Sequence, residues 1–455
     1  MAKKGKKNPS PPENMPILHP HAAGIDVGAE EHWVCVPADR DAQPVQKLSA
    51  FTCDLHRLAD WLTACRVTTV AMESTGVYWM PLFQILEARG FAVAFVNARH
   101  VKNVPGRPKT DRFDGRWLQK LHSYGLLAPS FRPPEDMCQL RSLRRHRENL
   151  IQMTVKHMQP MHKSLDQMNL HLHHVISDVT GVTGMRIIRA IVAGERDPKV
   201  LATYRDYRIQ SAQDTIAKAL EGDDRPEQVF TLTPSLALYD FTHQQIAACD
   251  QEIERVLATF ESLVDPEEHP LPPPTTAHRR PQRNEPAFDL RTHLYRITGV
   301  DLTQVPGLQA PTIHIVLAEV GLNRHKGPTD KHFASWLGLC PDNQISGGKV
   351  LSTGSRRVQN RASRAWRMAA QSLRTSPSYL GAFHRRMRSK LGPAKATTAT
   401  AHKLAKILYH MLKDKTPYQE RGAEHYLHKD QERKIRQLRK QAKHLGFDLV
   451  LQTSP

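Results

Sequence analysis

The sequence predicts an α/β domain at the N-terminus followed by an all-α remainder. Short apolar runs at 22–28, 68–73 and 91–97 alternate with helical stretches, as stacked strand and helix layers require. After SFRPPED (130–136) that alternation gives way to helix-spaced apolar residues, and the Pro-rich stretch VDPEEHPLPPPTTAHRRPQRN (264–284) divides the helical part in two.

The first run, AAGIDVG (22–28), is a buried strand that ends near Asp26, with Gly24 and Gly28 relieving crowding around the carboxylate. The second, TTVAMESTG (68–76), ends on Glu73, and Ser-Thr-Gly turns the chain into a helix from about Tyr78 to Arg89. A third strand, FAVAFVN (91–97), leads through a basic Pro/Gly loop to KTDRFDGRWLQKL (109–121). There Asp111 and Asp114 are three residues apart, on one face of a helix, with Lys109 and Arg112 beside them. Four carboxylates converging from strand and helix ends suit a hard divalent cation, which wants oxygen ligands and can hold the oxygens of a phosphoryl group. Taken one at a time, each acid also fits a cap or turn role.

From Met137 the pattern is helical. Met158, Met161, Leu165, Met168 and Leu172 recur at intervals of three and four, a seam that fits plain packing or a self-associating arm, with a kink at Pro160. Breaks are expected at GERDP (194–198) and TPSL (233–236), with a long helix from about Thr242 to Leu263. The organisation is a disordered basic arm (1–17), a catalytic α/β domain (18–132), a helical or coiled-coil region (133–264), a Pro-rich linker (265–287), a C-terminal domain (288–420) and a basic helical tail (421–455).

In the C-terminal domain, Ser346 precedes Gly347, Gly348 and Lys349. Glycines let the backbone approach another chain or a phosphate closely, and a serine so placed is a nucleophile if a base or metal activates it; Ser-Gly-Gly is equally an ordinary turn. Arg356, Arg357, Arg361, Arg364 and Arg367 follow on an expected helix without carboxylates nearby in sequence, a face suited to phosphates or to solvent.

Composition agrees with an anionic partner: 64 Lys and Arg against 45 Asp and Glu leave a formal charge of +19 on 455 residues. Six scattered cysteines form no CxxC pair and indicate neither a zinc module nor a disulfide framework. The histidines at 157, 162, 171, 173 and 174 lack acidic or thiol partners at ligand spacing. No run approaches a membrane span and MAKKGKKNPSPP lacks a signal-peptide core, so the expected location is the bacterial cytoplasm, at the nucleoid, with no membrane partner.

GIDVG, MESTGVYW, KTDRFDGRWL, the ISGGK segment and LAKILYHMLKDKTPY (404–418) together resemble the DEDD transposases of a family of bacterial insertion sequences, in order from about residue 18 to about 420. The resemblance implies a RuvC-like, ribonuclease-H-type N-terminal domain whose acids are Asp26, Glu73, Asp111 and Asp114, holding Mg²⁺, with Mn²⁺ as a substitute. It implies a C-terminal transposase domain whose nucleophile is Ser346 and a covalent phosphoserine intermediate. It further implies donor and target duplex DNA and a noncoding bridge RNA as partners, and a dimeric or tetrameric assembly. Apart from the resemblance, the charge pattern marks Lys349, Arg356, Arg357, Arg361 and Arg364, with Lys109 and Arg112, as the expected nucleic-acid contacts. Where the family often shows Gly-Asn at the helix after the serine, this chain has Gln359-Asn360, which leaves the helix entry open.

Other readings stand beside this one. GIDVG also opens the fold of sugar kinases and related ATPases, but the second glycine-rich phosphate loop of DxGG type is missing from the sequence. A RuvC-type junction nuclease would use water and leave Ser346 a turn residue. An RNA-binding scaffold would keep the fold without the chemistry.

Overall fold

A computed structural model describes residues 16–73, 76–97, 111–274, 284–322, 328–356, 358 and 360–450, and the side chains of 111–113 lie outside that description. The basic arm read at 1–17 therefore falls outside it except for its last two residues. The chain divides into two compact units, Met1–Arg132 and Pro133–Pro455.

In the first unit, β1 (Ala22–Val27), β2 (Glu31–Cys35), β3 (Val45–Ser49), β4 (Thr69–Glu73) and β5 (Ala92–Val96) form one sheet in the order β3-β2-β1-β4-β5. The first three strands run as an antiparallel meander, and β4 and β5 lie parallel to β1. Helices α1 (Thr52–Ala64), α2 (Trp79–Ala88) and α3 (Asp111–Ser123) complete a mixed-sheet α/β domain of the RuvC-like type. Strands β2 and β3 and helix α1 go beyond the sequence reading.

Strand alternation assigns each residue of β1 to a face. Ala23, Ile25 and Val27 join Val70, Met72 and the buried faces of α1 and α2 in one apolar cluster. The alternate residues, Ala22, Gly24 and Asp26, face α3. Val96, Trp117, Leu118 and Leu121 form the small core on that side.

The second unit is built on two helices of 33 residues each, α4 (Glu135–Gln167) and α9 (Pro226–Ala258). Arg147 meets Asp250 near one end and Ser164 meets Thr231 (3.2 Å) near the other, so the pair is antiparallel. Helices α5 (Leu172–Val175), α6 (Val182–Val192), α7 (Pro198–Thr203) and α8 (Gln213–Ala219) enclose the far end. Met161, Leu165, Met168 and Leu172 are buried in that end's core. The seam thus packs within its own chain.

The break expected at TPSL is absent: α9 continues through Pro234, and α4 continues through Pro160. Packing along the helix pair outweighs the single backbone hydrogen bond each proline removes. The interruption at GERDP is present, between α6 and α7.

At the near end, α10 (Leu290–Thr298), α11 (Ala310–Val320), α12 (Asp330–Trp336), α13 (Arg361–Ser372), α14 (Tyr379–Leu391) and α15 (Pro393–Asp414) close a core around Trp366. The buried Arg147–Asp250 pair is supported by Arg147 Nη1 donating to the Asn284 carbonyl (3.0 Å) and the Ala287 amide donating to Asp250 (3.2 Å). Arg145 forms a fork on the Glu319 carboxylate (2.9 and 2.7 Å), tying α4 to the end of α11. A basic helix, α16 (Gly422–His444), packs its first turns on α14. All six cysteines are free, and among the described residues no helix is long and apolar enough to cross a membrane.

Candidate catalytic site

Strand register brings the first two acids together. Ile25 of β1 pairs with Met72 of parallel β4, so the next residues, Asp26 and Glu73, stand side by side at the strands' C-terminal ends. Glu73 pairs in turn with Val96 of β5, whose side chain belongs to the α3-facing core. The alternation that buries Ile25 and Met72 against α1 and α2 therefore aims Asp26 and Glu73 at α3. Glu73 is 5% exposed, whereas Asp26 and Asp114 are half-buried.

Helix α3 crosses β1 backbone against backbone at Gly24 and Gly115. A Cβ on Gly24 would land inside the backbone of Gly115 and Gln119, and one on Gly115 would lie 2.9 Å from the Trp33 carbonyl oxygen. Gln119 donates to the Ala22 carbonyl (3.3 Å), and His122, one turn on, meets Thr69 Oγ1 (2.8 Å). These contacts set the helix antiparallel to β1, with its N-terminus at the strand end that carries Asp26. Asp111, Asp114, Leu118 and Leu121 follow intervals of three and four, and the two leucines are buried under the sheet. Asp114 thereby continues the sheet-facing stripe toward Asp26 and Glu73. The backbone of Asp111 begins the helix, but its side chain, like that of Arg112, lies outside the described residues, as do Lys109 and Arg357.

Among the described residues no group of three His, Cys, Asp or Glu side chains stands ready to hold a metal ion. The donor chemistry nonetheless fits a hard divalent cation: adjacent carboxylates at paired strand ends offer only oxygen ligands, and Mg²⁺ takes one or two carboxylates and completes its shell with water and substrate phosphate.

Ser346 ends β6 (Gln344–Ser346) and pairs with Lys349, the first residue of β7 (Lys349–Ser352). Gly347 (φ 54°) and Gly348 (φ 77°) form the two-residue turn between them. Positive φ at both positions is the primed turn that matches strand twist, and glycine adopts it without strain. The turn glycines have open space around them, so conformation selects glycine here. The hairpin presents Ser346 and Lys349 to solvent, together with Ile345, Val350 and Leu351.

The arginines that follow do not share one helical face. Arg356 precedes α13 and donates to the Ser335 carbonyl (2.8 Å). The helix starts at Arg361, capped by Asn360, whose side chain accepts from the Ala362 amide (2.8 Å). That cap resolves the helix entry. Arg361 has a carboxylate partner after all, Glu148 of α4 at 2.9 Å, and Arg367 donates to Ser363 (2.7 Å) and to the Gly338 carbonyl (3.3 Å). Arg364 is exposed, one turn beyond Arg361.

Two features escaped the sequence reading. Gly115 and Gln119 position α3, a role visible only once the helix is seated on β1. A groove of about 1340 Å³ runs along α15, with Lys395, His402, Lys403 and Lys406 on the helix and Thr353–Ser355 at the hairpin's base. Lys403 lies over the rings of Tyr379 (4.5 Å) and Phe383 (4.4 Å), and burial pushes its ammonium down to about 8.

A transposase family model of the IS110 DEDD type matches residues 23–170, and a second model, described as the transposase IS116/IS110/IS902 family, matches residues 301–385. The chain belongs to the IS110-type DEDD transposases of insertion sequences. No curated protein sequence matches it. The first matched segment of the transposase carries Asp26, Glu73, Asp111 and Asp114, and the second carries Ser346 and all of α13. The family acts on DNA, and its DEDD class implies a divalent metal.

Proposed function

We propose that this transposase cuts, exchanges and rejoins DNA strands through a covalent phosphoserine at Ser346, guided to donor and target by a noncoding RNA. The observation that carries the reading is the register of β1 on β4, which sets Asp26 beside Glu73 under the N-terminus of α3. Asp26, Glu73, Asp111 and Asp114 would hold the divalent cation, which when bound neutralises phosphate charge and helps deprotonate the nucleophile. Mg²⁺ suits the all-oxygen set and Mn²⁺ would replace it.

Ser346 Oγ attacks the phosphorus of a backbone phosphodiester. The Oγ–P bond forms as the bond to one deoxyribose oxygen breaks; the serine proton passes by way of water to that oxygen, which leaves as a hydroxyl. The energy of the diester is kept in the phosphoserine, so a hydroxyl from the partner strand rejoins the backbone by the reverse attack and restores Ser346 without ATP. Lys349 is the strand partner of Ser346, and its ammonium would meet the phosphate's charge. Arg356, Arg361 and Arg364, with Arg357, Lys109 and Arg112, would contact the nucleic acids. Base pairing by the bridge RNA would choose the sites, so the protein needs to read backbone shape rather than sequence. A dimer or tetramer would bring two copies of each site to the exchanging strands.

The test incubates the protein with RNA transcribed from the element's flank, labelled donor and target duplexes and Mg²⁺, followed by a denaturing gel. A protein–DNA adduct that disappears in Ser346→Ala is expected. Cleavage without adduct, equal in both proteins, would reject the serine chemistry in favour of a water-using nuclease.

A further inference from the structure

Helix α16 changes character midway. Its first turns are anchored: Tyr426 is buried against Tyr379 and Phe383, and Asp430 is buried and paired with Arg386 (2.8 Å). Arg433 and Lys434 still reach Asp430, at 3.6 and 3.3 Å. From Gln431 to His444 no residue is buried. That stretch carries Arg433, Lys434, Arg436, Arg439, Lys440 and Lys443 against one acid, Glu432.

Among the described residues, Arg436, Arg439, Lys440 and Lys443 form no ion pair. They are also each other's neighbours on the helix: Arg436 with Lys440 and Arg439 with Lys443 at four residues, Arg436 with Arg439 and Lys440 with Lys443 at three. Like charges at these spacings destabilise a helix, and a free helix of about 12–15 residues is already marginal in water. An external anion laid along this face would relieve the repulsion.

We propose that residues 431–444 form an arm that lays Arg436, Arg439, Lys440 and Lys443 on the phosphates of duplex DNA. The stretch lies beyond both family-matched segments, which end at residue 385. A helix about 10–12 Å across enters the B-form major groove, about 12 Å wide, whereas the deep, narrow major groove of A-form RNA excludes it. The inference rests on the chain acting on DNA and is independent of the serine and metal chemistry.

The experiment compares full-length wild type with the quadruple variant Arg436→Gln, Arg439→Gln, Lys440→Gln, Lys443→Gln, reading anisotropy of a labelled mixed-sequence DNA duplex over a salt series. Each phosphate contact contributes about 0.9 to the slope of log affinity against log salt, so the variant's slope should be shallower by about 3–4. Leu438→Ala, off the charged face, should keep the wild-type slope. An unchanged slope in the quadruple variant overturns the arm, even if its oligomeric state changes. Equal loss on an A-form RNA duplex overturns the assignment to DNA. Run without a divalent cation, the titration reads binding alone and says nothing of adduct formation, which separates failure of the arm from failure of the serine chemistry.

Discussion

Gly24 and Gly115 meet backbone to backbone where β1 crosses α3, and neither position has room for a methyl group. The depth of that contact sets how far Asp114 stands from Asp26.

Gly24→Ala should therefore act twice. Overpacking at a rigid backbone contact costs about 1–3 kcal/mol. Lifting α3 by an ångström misplaces its aspartates and should cost about 100-fold in strand cleavage. Chemical unfolding and a cleavage time course on one preparation check both. Full activity with a methyl at residue 24 would mean that α3 does not set the site.

Asp26→Asn removes charge with little change in volume. Loss of an outer-shell partner of a metal costs 10–100-fold, so loss of a ligand should exceed about 100-fold in cleavage. DNA affinity at fixed salt should hold, because no cation is removed. Cleavage in Mg²⁺ at the wild-type rate would remove Asp26 from the site.

Gly348→Val forces a β-branched residue into φ 77° and strains the turn by about 1–3 kcal/mol. The hairpin is exposed, so the unit's melting temperature should barely move while adduct formation at Ser346 falls. A matching loss of melting temperature would instead make the hairpin part of the folded core.

Acid should destabilise both units through histidines that are buried neutral. Burial lowers His122 to about 4, where it meets Thr69 and stacks on His19 at 5.0 Å; burial, with the Arg144 and Arg147 charges, lowers His314 to about 3. A histidine whose folded value lies below its unfolded 6.5 contributes fully above that value. Its contribution is lost as pH falls from about 6.5 towards the folded value. Urea midpoints should fall across that window, and His122→Gln should flatten the fall for the first unit. Midpoints level from pH 7 to 4 would contradict this.

Much of the site was readable locally because strands end where apolar runs end: Asp26 and Glu73 close two such runs. Strand β3, VQKLS, was missed because it is an edge strand with a single buried residue, Leu48, too little alternation to register. The carboxylate partner of Arg361 was hidden for a different reason. Glu148, which pairs with Arg361, is 213 residues away, and no window around residue 361 contains it. The unbroken α9 was hidden likewise, since its tolerance of Pro234 comes from α4.

Pro160 and Pro234 carry one more implication. Pairing of Ser164 with Thr231 and of Arg147 with Asp250 puts both prolines at nearly the same height along the antiparallel helices. Each rod lacks a rung there, so its bending stiffness is lowest at a shared joint. Bending of the pair would be easiest around that level, next to the cap formed by α5–α8, because the prolines leave each helix one backbone bond short on either side of it.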